Sequence, residues 1–382
     1  MLLGLVAGLA AVELGLRLLE PHDLRALHEL RPDRPWLYGM QPNAAVRVGG
    51  ITYATNADGF RDRTYPRATP PATFRIVVLG DSIALGWGVP LEESFPKRLE
   101  QRLGPSVQVL SLGVAGYNPY TEAQLFTDVG VGYRPDLVLV EFCINDLNDP
   151  TLHFDASTMA SLGALPEAAF PDPGGRRPAP GPAARLCRRL RTCALLADRL
   201  APGPDAAALA AALATHDQPS AAELDWLAAR YGEIARAAVA AGARFAVVVF
   251  PWKTQVDGRA SDEVERRLAP LGAREGWATI DLLPAFRAVR AGPPLFIDLW
   301  HPSAAGHRVA ADALAVALLA RGLVPSSTGR PRPRARARPR PATGRCRDLA
   351  RGGRGAGASM TSDSRDFLPL GFVFIAAGSS GC

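Results

Sequence analysis

Five short apolar runs recur along the chain with helical stretches between them: Phe74 to Leu79, Val107 to Leu112, Leu137 to Phe142, Phe245 to Phe250 and Ala278 to Leu282. Runs this short cannot cross a membrane, and their continuity lacks the in-and-out alternation of a strand wetted on one face. They fit strands buried on both faces. Strands of that kind alternating with helices predict an α/β protein with a parallel sheet covered on both sides. About a hundred residues separate the third run from the fourth, far more than a crossover needs, so an insertion is predicted at about 151–220. Within it 154–184 reads as Pro-, Gly- and Ala-rich loop, and Arg185 to Leu200 has helical spacing. Ala221 to Ala241 reads as the helix that feeds the Phe245 strand, which leaves the remainder free to form a lid.

The flanks divide the chain further. Residues 1–19 open with MLLGLVAGLAAV and are just long enough for an uncleaved membrane anchor; an amphipathic or buried first helix is the alternative. Residues 20–73 form a polar, Pro-rich pre-domain segment with strand-like pieces at Ala45 to Val48 and Ile51 to Ala54. The main domain is expected over 74–323, and 324–382 reads as an Arg- and Pro-rich disordered tail. That tail carries 11 Arg against 3 acidic residues, which leaves 32 basic and 34 acidic groups for the rest. The overall charge of +6 therefore belongs to the tail, and no nucleic-acid partner is expected for the folded part. The five cysteines show no zinc spacing and no disulfide framework; Cys187 and Cys193 fit a local disulfide or two free thiols equally well.

Chemistry concentrates in a few places. In FRIVVLGDSIALGWG a strand ends at Gly80 and is followed at once by Asp81 and Ser82. The C-terminal edge of such a sheet is where open α/β proteins place their sites. Ser82 would stand at a helix entry, where free backbone N–H groups can stabilise a developing anion; taken alone, it reads first as a helix N-cap. A dinucleotide fingerprint would need Gly in place of Ser82, and an α/β-hydrolase elbow would need Gly in place of Ala84, so both are excluded. In FIDLWHPSAAGH, Asp298 and His301 lie three apart before a helix at about Ser303 to Leu319. A carboxylate there can accept one imidazole N–H and leave the other nitrogen to take a proton from a serine hydroxyl. The remaining histidines fall in the pre-domain or insertion segments, apart from His307, which reads as structural within the helix. The Asp-His pair alone also fits surface polar residues or half of a metal site, but no third ligand cluster accompanies it, and no metal or cofactor is expected. Gly113 and Gly116 in LGVAGYN and Asn145 in CINDLND follow the second and third strands. A Gly N–H and the Asn amide can donate to a tetrahedral oxyanion beside the Ser82 N–H; singly, Gly116 reads as a turn glycine and Asn145 as a strand-end cap. Trp87 and Tyr117 fit pocket lining or ordinary packing.

Four blocks in this order, GDSI, GVAGYN, CIND and DLWHPSAAGH, resemble those of the SGNH hydrolases, the GDSL-type esterases. The resemblance spans roughly residues 74–320, with two departures, Ile83 for the usual Leu and Cys143 for the usual Gly before the Asn block. It implies a three-layer α/β/α sandwich with a flavodoxin-like, five-stranded parallel sheet. It further implies Ser82 as nucleophile, His301 as base, Asp298 as orienting acid, and Ser82, Gly116 and Asn145 as the oxyanion hole. The expected activity is hydrolysis of a small acyl ester, acetyl foremost, on a small molecule or carbohydrate; O-acyl transfer to a polysaccharide by the same residues is the alternative. VELGLRLLEP and NADGFRDRTYP are similar to a membrane-anchored bacterial subgroup, which implies a membrane partner and an extracytoplasmic catalytic domain.

Overall fold

The computed structural model describes residues 24–147 and 218–325 apart from Pro32, Leu37 and Arg290, together with Gly4, Gly8 and 11–15. The expected lid, Arg185 to Leu200 helix, Cys187, Cys193 and the tail from 326 onward lie outside the described residues, as does most of the expected anchor; Val324, expected in the tail, is buried in the core. Among the described residues no helix is long and apolar enough to cross a membrane.

Nine strands are present among the described residues: β1 (His28–Leu30), β2 (Tyr38–Met40), β3 (Ala45–Val48), β4 (Ile51–Ala54), β5 (Phe74–Leu79), β6 (Val107–Ser111), β7 (Leu137–Phe142), β8 (Arg244–Val249) and β9 (Ala278–Asp281). The last five form one parallel sheet in the order β6-β5-β7-β8-β9. Its centre is sealed on both faces: every residue of β7 is buried, as are Ile76 to Leu79 of β5. The helices, numbered through the chain, are α1 (Ser82–Leu85), α2 (Phe95–Leu103), α3 (Pro119–Asp128), α4 (Ala221–Ala240), α5 (Lys253–Val256), α6 (Glu263–Glu275), α7 (Leu283–Arg287) and α8 (Ala304–Ala320).

Strand order determines the layers. The chain steps outward from β5 to β6, then returns past β5 to β7 and continues to β9. Right-handed crossovers in opposite directions place α2 on one face and α3, α4 and α6 on the other. The packing agrees, since α2 lies on α8 while α3 packs on α4 and α4 on α6. The reversal leaves a crevice beyond the carboxyl ends of β5 and β7, the usual position of a site in an open α/β sheet. Capping fixes where the flanking helices begin: Asn118 and Thr121 form a capping box for α3, Ser220 and Glu223 another for α4, and Ser303 caps α8.

The segment before the sheet is built as two antiparallel hairpins, β1-β2 and β3-β4. Tyr38, Tyr53 and Phe60 bury their rings in the same core as the sheet, and these residues belong to one compact unit with it.

Candidate active site

β5 delivers the chain to the crevice through Gly80, whose φ of +154° lies in the region that favours glycine. A Cβ on Gly80 would stand 2.5 Å from Oε2 of Glu141 and 2.8 Å from Cβ of Ala84, so the turn is tight on two sides. Asp81 then caps α1, its buried carboxylate accepting the Ile83 N–H at 2.8 Å. Ser82, at the first position of α1, is therefore not the cap. Its hydroxyl is free for another partner and lies 2.9 Å from Nε2 of His301.

His301 is presented by a loop closed on itself. Ile297 N–H donates to the His301 carbonyl and Ser303 N–H to that of Leu295, both at 2.9 Å. Inside this loop Oδ1 of Asp298 accepts the N–H groups of Trp300 at 2.9 Å and His301 at 2.8 Å, and Oδ2 lies 2.7 Å from Nδ1 of His301. Burial works to raise the Asp298 pKa, but the hydrogen bonds and charge of His301 outweigh it and hold the carboxyl below its ordinary value. An ionised carboxylate only accepts hydrogen bonds, so the imidazole proton sits on Nδ1 and the Nε2 lone pair faces Ser82. The ring of Trp87 stands 5.9 Å from that of His301. His301 and Asp298 keep 19% and 23% of their side-chain surface exposed, which leaves the imidazole accessible from the crevice.

The oxyanion candidates flank this chain. After β6, Gly113 packs directly on α1, where a Cβ would meet the Leu85 nitrogen at 2.5 Å; Ser111 Oγ donates to the Ala84 carbonyl at 2.8 Å. Val114 to Tyr117 then form a turn closed by Tyr117 N–H to the Val114 carbonyl at 3.1 Å, with Gly116 at φ +81°. That positive φ at the third turn position is what a type II turn requires. Asn145 lies in the single 3-10 turn Ile144–Leu147 directly after β7; its side chain is outside the described residues. His307 is buried in α8, where Nδ1 accepts the Phe95 N–H at 3.1 Å; burial depresses its pKa to about 3, so it is a neutral core histidine. Tyr117 is likewise buried, its hydroxyl donating to the Tyr38 carbonyl at 2.5 Å. No group of three or more metal-ligating side chains occurs among the described residues.

Two sets of residues close to the site were not anticipated. Arg61 and Tyr53 grip the loop that follows α1. Glu141, at the end of β7, accepts the Asp81 N–H at 3.3 Å. Charge is the misleading signal at Arg61, since a charged residue in a polar segment reads as surface, whereas Glu141 falls inside the run Leu137 to Phe142, which reads as a buried strand, and carries no signal of its own there.

An arylesterase of Vibrio mimicus is 32% identical over 82 residues, which are 21% of this chain and span 41% of that relative. The chain is also similar to a member of the lipolytic protein G-D-S-L family from Veillonella parvula, with 14% identity and a TM-score of 0.39 over 65% of this chain and all of that one. Its similarity to TesA is comparable, at 15% identity and a TM-score of 0.39 over 65% of this chain and 99% of that one. The sequence model of the GDSL-like lipase/acylhydrolase family matches residues 78–309, more than half of the chain, and the protein belongs to that family.

Proposed function

We infer that the protein is a serine esterase that removes a small acyl group through an acyl-serine intermediate. The observation that carries this reading is the continuous chain of hydrogen bonds from Ser82 through His301 to Asp298. Ser82 Oγ attacks the ester carbonyl as His301 Nε2 takes its proton; the carbonyl π electrons move to oxygen. The oxyanion is held by the N–H groups of Ser82 and Gly116 and by the Asn145 amide. As the intermediate collapses, His301 returns the proton to the leaving alcohol. Water then attacks the acyl-serine with His301 again as base, which releases the acid and restores the serine. Acetyl is the favoured acyl group, on an aryl, small-molecule or carbohydrate alcohol; the arylesterase relative supports aryl esters as probes.

Steady-state hydrolysis of p-nitrophenyl esters of increasing acyl length tests this. Wild type should turn over the acetyl ester best, and Ser82→Ala should retain less than about one part in a thousand of kcat. Equal activity in Ser82→Ala would sink the reading. Gly116→Ala forces a side chain into a left-handed turn position, at a cost of about 1–2 kcal/mol. It should lower kcat about 10- to 100-fold by moving one oxyanion donor, with KM nearly unchanged.

The N-terminal helix is read as a tether that holds the catalytic domain at the outer face of a bacterial membrane. Val12 and Leu14, which leave 52% and 58% of their surface exposed, support this. Full-length chain should sediment with carbonate-washed membranes, and a chain lacking 1–19 should not.

A further inference from the structure

The family match begins at Val78, yet part of the chain well before it reaches under the site. α1 is only four residues long, and the loop behind it turns back sharply through Gly86 at φ +80° and Gly88 at φ +76°. The carbonyls of Leu85, Gly86 and Val89 lie at or beyond the end of α1, where no further helical turn supplies N–H donors. Arg61, only 1% exposed, supplies the donors: one guanidinium nitrogen donates to the carbonyls of Gly86 at 2.6 Å and Leu85 at 3.1 Å, and the other to that of Val89 at 2.8 Å. Such a fork matches several carbonyls at fixed angles, which an ammonium cannot do. Burial lowers the Arg61 pKa to about 10, so it remains a cation at neutral pH. Beneath it lies the Tyr53 ring, 4.1 Å from the guanidinium carbon, and the Tyr53 hydroxyl accepts the Gly88 N–H at 2.8 Å.

The far side of the same loop meets the base. A Cβ on Gly88 would overlap Cδ1 of Ile297, the residue directly before Asp298. Trp87 sits with its ring 5.9 Å from Tyr53 on one side and 5.9 Å from His301 on the other. Contacts therefore run unbroken from β4 through residues 85–89 to His301. Next to Arg61, Asp62 pairs with Lys97 at 2.7 Å and accepts the Ser111 N–H at 2.7 Å, both buried, which anchors the segment to the end of β6.

We propose that Arg61 and Tyr53 are positioning residues for the reaction at Ser82: they hold the loop 85–89 in the shape that keeps Trp87 and Ile297 packed where His301 faces the serine hydroxyl. The segment before the family domain is thereby a working part of the active site. This inference rests on the serine esterase reading, through Ser82 and His301. Neither residue touches substrate or the reacting atoms; they act on kcat through the alignment of base and nucleophile, and misalignment on the ångström scale is costly.

The test uses the full chain with Arg61→Lys, which keeps the charge and loses the fork, and Tyr53→Phe, which keeps the ring and loses the acceptor for Gly88. Two readouts are taken well below each variant's Tm: kcat and KM for p-nitrophenyl acetate, and the rate at which a fluorophosphonate labels Ser82. Both variants should lose about tenfold in kcat and in labelling rate together, with KM within about twofold. Folded variants with wild-type kcat and labelling, whatever their Tm, would overturn the proposal. Should Arg61→Lys fail to fold, Tyr53→Phe decides alone, because it removes one hydroxyl from a retained ring. A wild-type enzyme that neither turned over ester nor reacted at Ser82 would instead overturn the esterase reading, and the clamp with it.

Discussion

Replacing His301 by alanine is expected to lower kcat for an aryl acetate by about four to six orders of magnitude, with little change in Tm. Nothing else near Ser82 among the described residues can take its proton: His307 faces Phe95 from within the core, and Asp81 spends an oxygen on its own helix cap. The Asp298 variants give a sharper test of the assigned geometry. Oδ1 of Asp298 already accepts two backbone N–H groups, so in Asp298→Asn the amide oxygen is pinned there. The amide nitrogen must then take the place of Oδ2, facing Nδ1 of His301. Two donors cannot face each other, and the ring shifts its proton to Nε2, which can no longer accept from Ser82. Asp298→Asn should lose about three to four orders of magnitude in kcat, and should be no better than Asp298→Ala, which imposes no tautomer. If Asp298→Asn kept more than a tenth of wild-type kcat, the carboxylate would not be orienting the base. Because its hydrogen bonds hold Asp298 below the ordinary carboxylate range, its own titration should not limit activity on the acid side.

Sequence patterning was most informative where burial is uniform. The runs Phe74 to Leu79 and Leu137 to Phe142 coincide with β5 and β7 residue for residue, because strands sealed on both faces are apolar nearly throughout, Arg75 and Glu141 being the buried exceptions. At β8 the pattern slips by one. Arg244 is exposed yet pairs with Leu137 and opens the strand, which an apolar run cannot reveal. The hairpin of β1 and β2 left no trace, since HEL and YGM are too short to show a period. Within the site, the sequence placed Ser82, Gly116, Asn145, Asp298 and His301 at strand ends and loops, and the structure brings Ser82, Asp298 and His301 into one hydrogen-bonded chain. The alternative reading of Ser82 as a helix N-cap does not hold, because Asp81 caps α1 and Ser82 follows it at the first helical position. The sequence could not show Arg61 as interior, because a buried charge depends on carbonyls brought to it by loops distant in sequence.

The same blindness hid a set of buried carboxyls beneath the nucleophile, and it leads to the second large effect. Glu122 on α3, Glu141 at the end of β7 and Asp146 in the turn after it are all inaccessible. Neither oxygen of Glu122 has a hydrogen-bond partner, and Glu141 has one oxygen without a partner. Burial pushes all three pKa values well up, and the charge of Asp81 nearby pushes them further. A carboxyl whose folded pKa is raised contributes its full stability below the unfolded value, near pH 4. That contribution is lost as pH rises through the folded pKa, since the unfolded chain ionises freely while the folded one must keep the proton or bury a charge. Glu122→Met, which fills the same space without the carboxyl, should therefore stabilise the protein by about 1–4 kcal/mol at pH 8, or about 3–12 °C in Tm. The gain should shrink toward pH 4, where wild-type Glu122 is protonated in both states and only the cost of burying an unpartnered neutral carboxyl remains. Glu141→Gln should show a smaller gain of the same sign, because a glutamine oxygen can still accept the Asp81 N–H. His307, with its depressed pKa, works the other way, losing stability as pH falls from about 6.5 toward 3. The prediction is accordingly read as the Tm difference between variant and wild type at each pH from 4 to 8. A Tm difference for Glu122→Met that was flat across this range would mean that Glu122 does not titrate differently in the folded and unfolded chains.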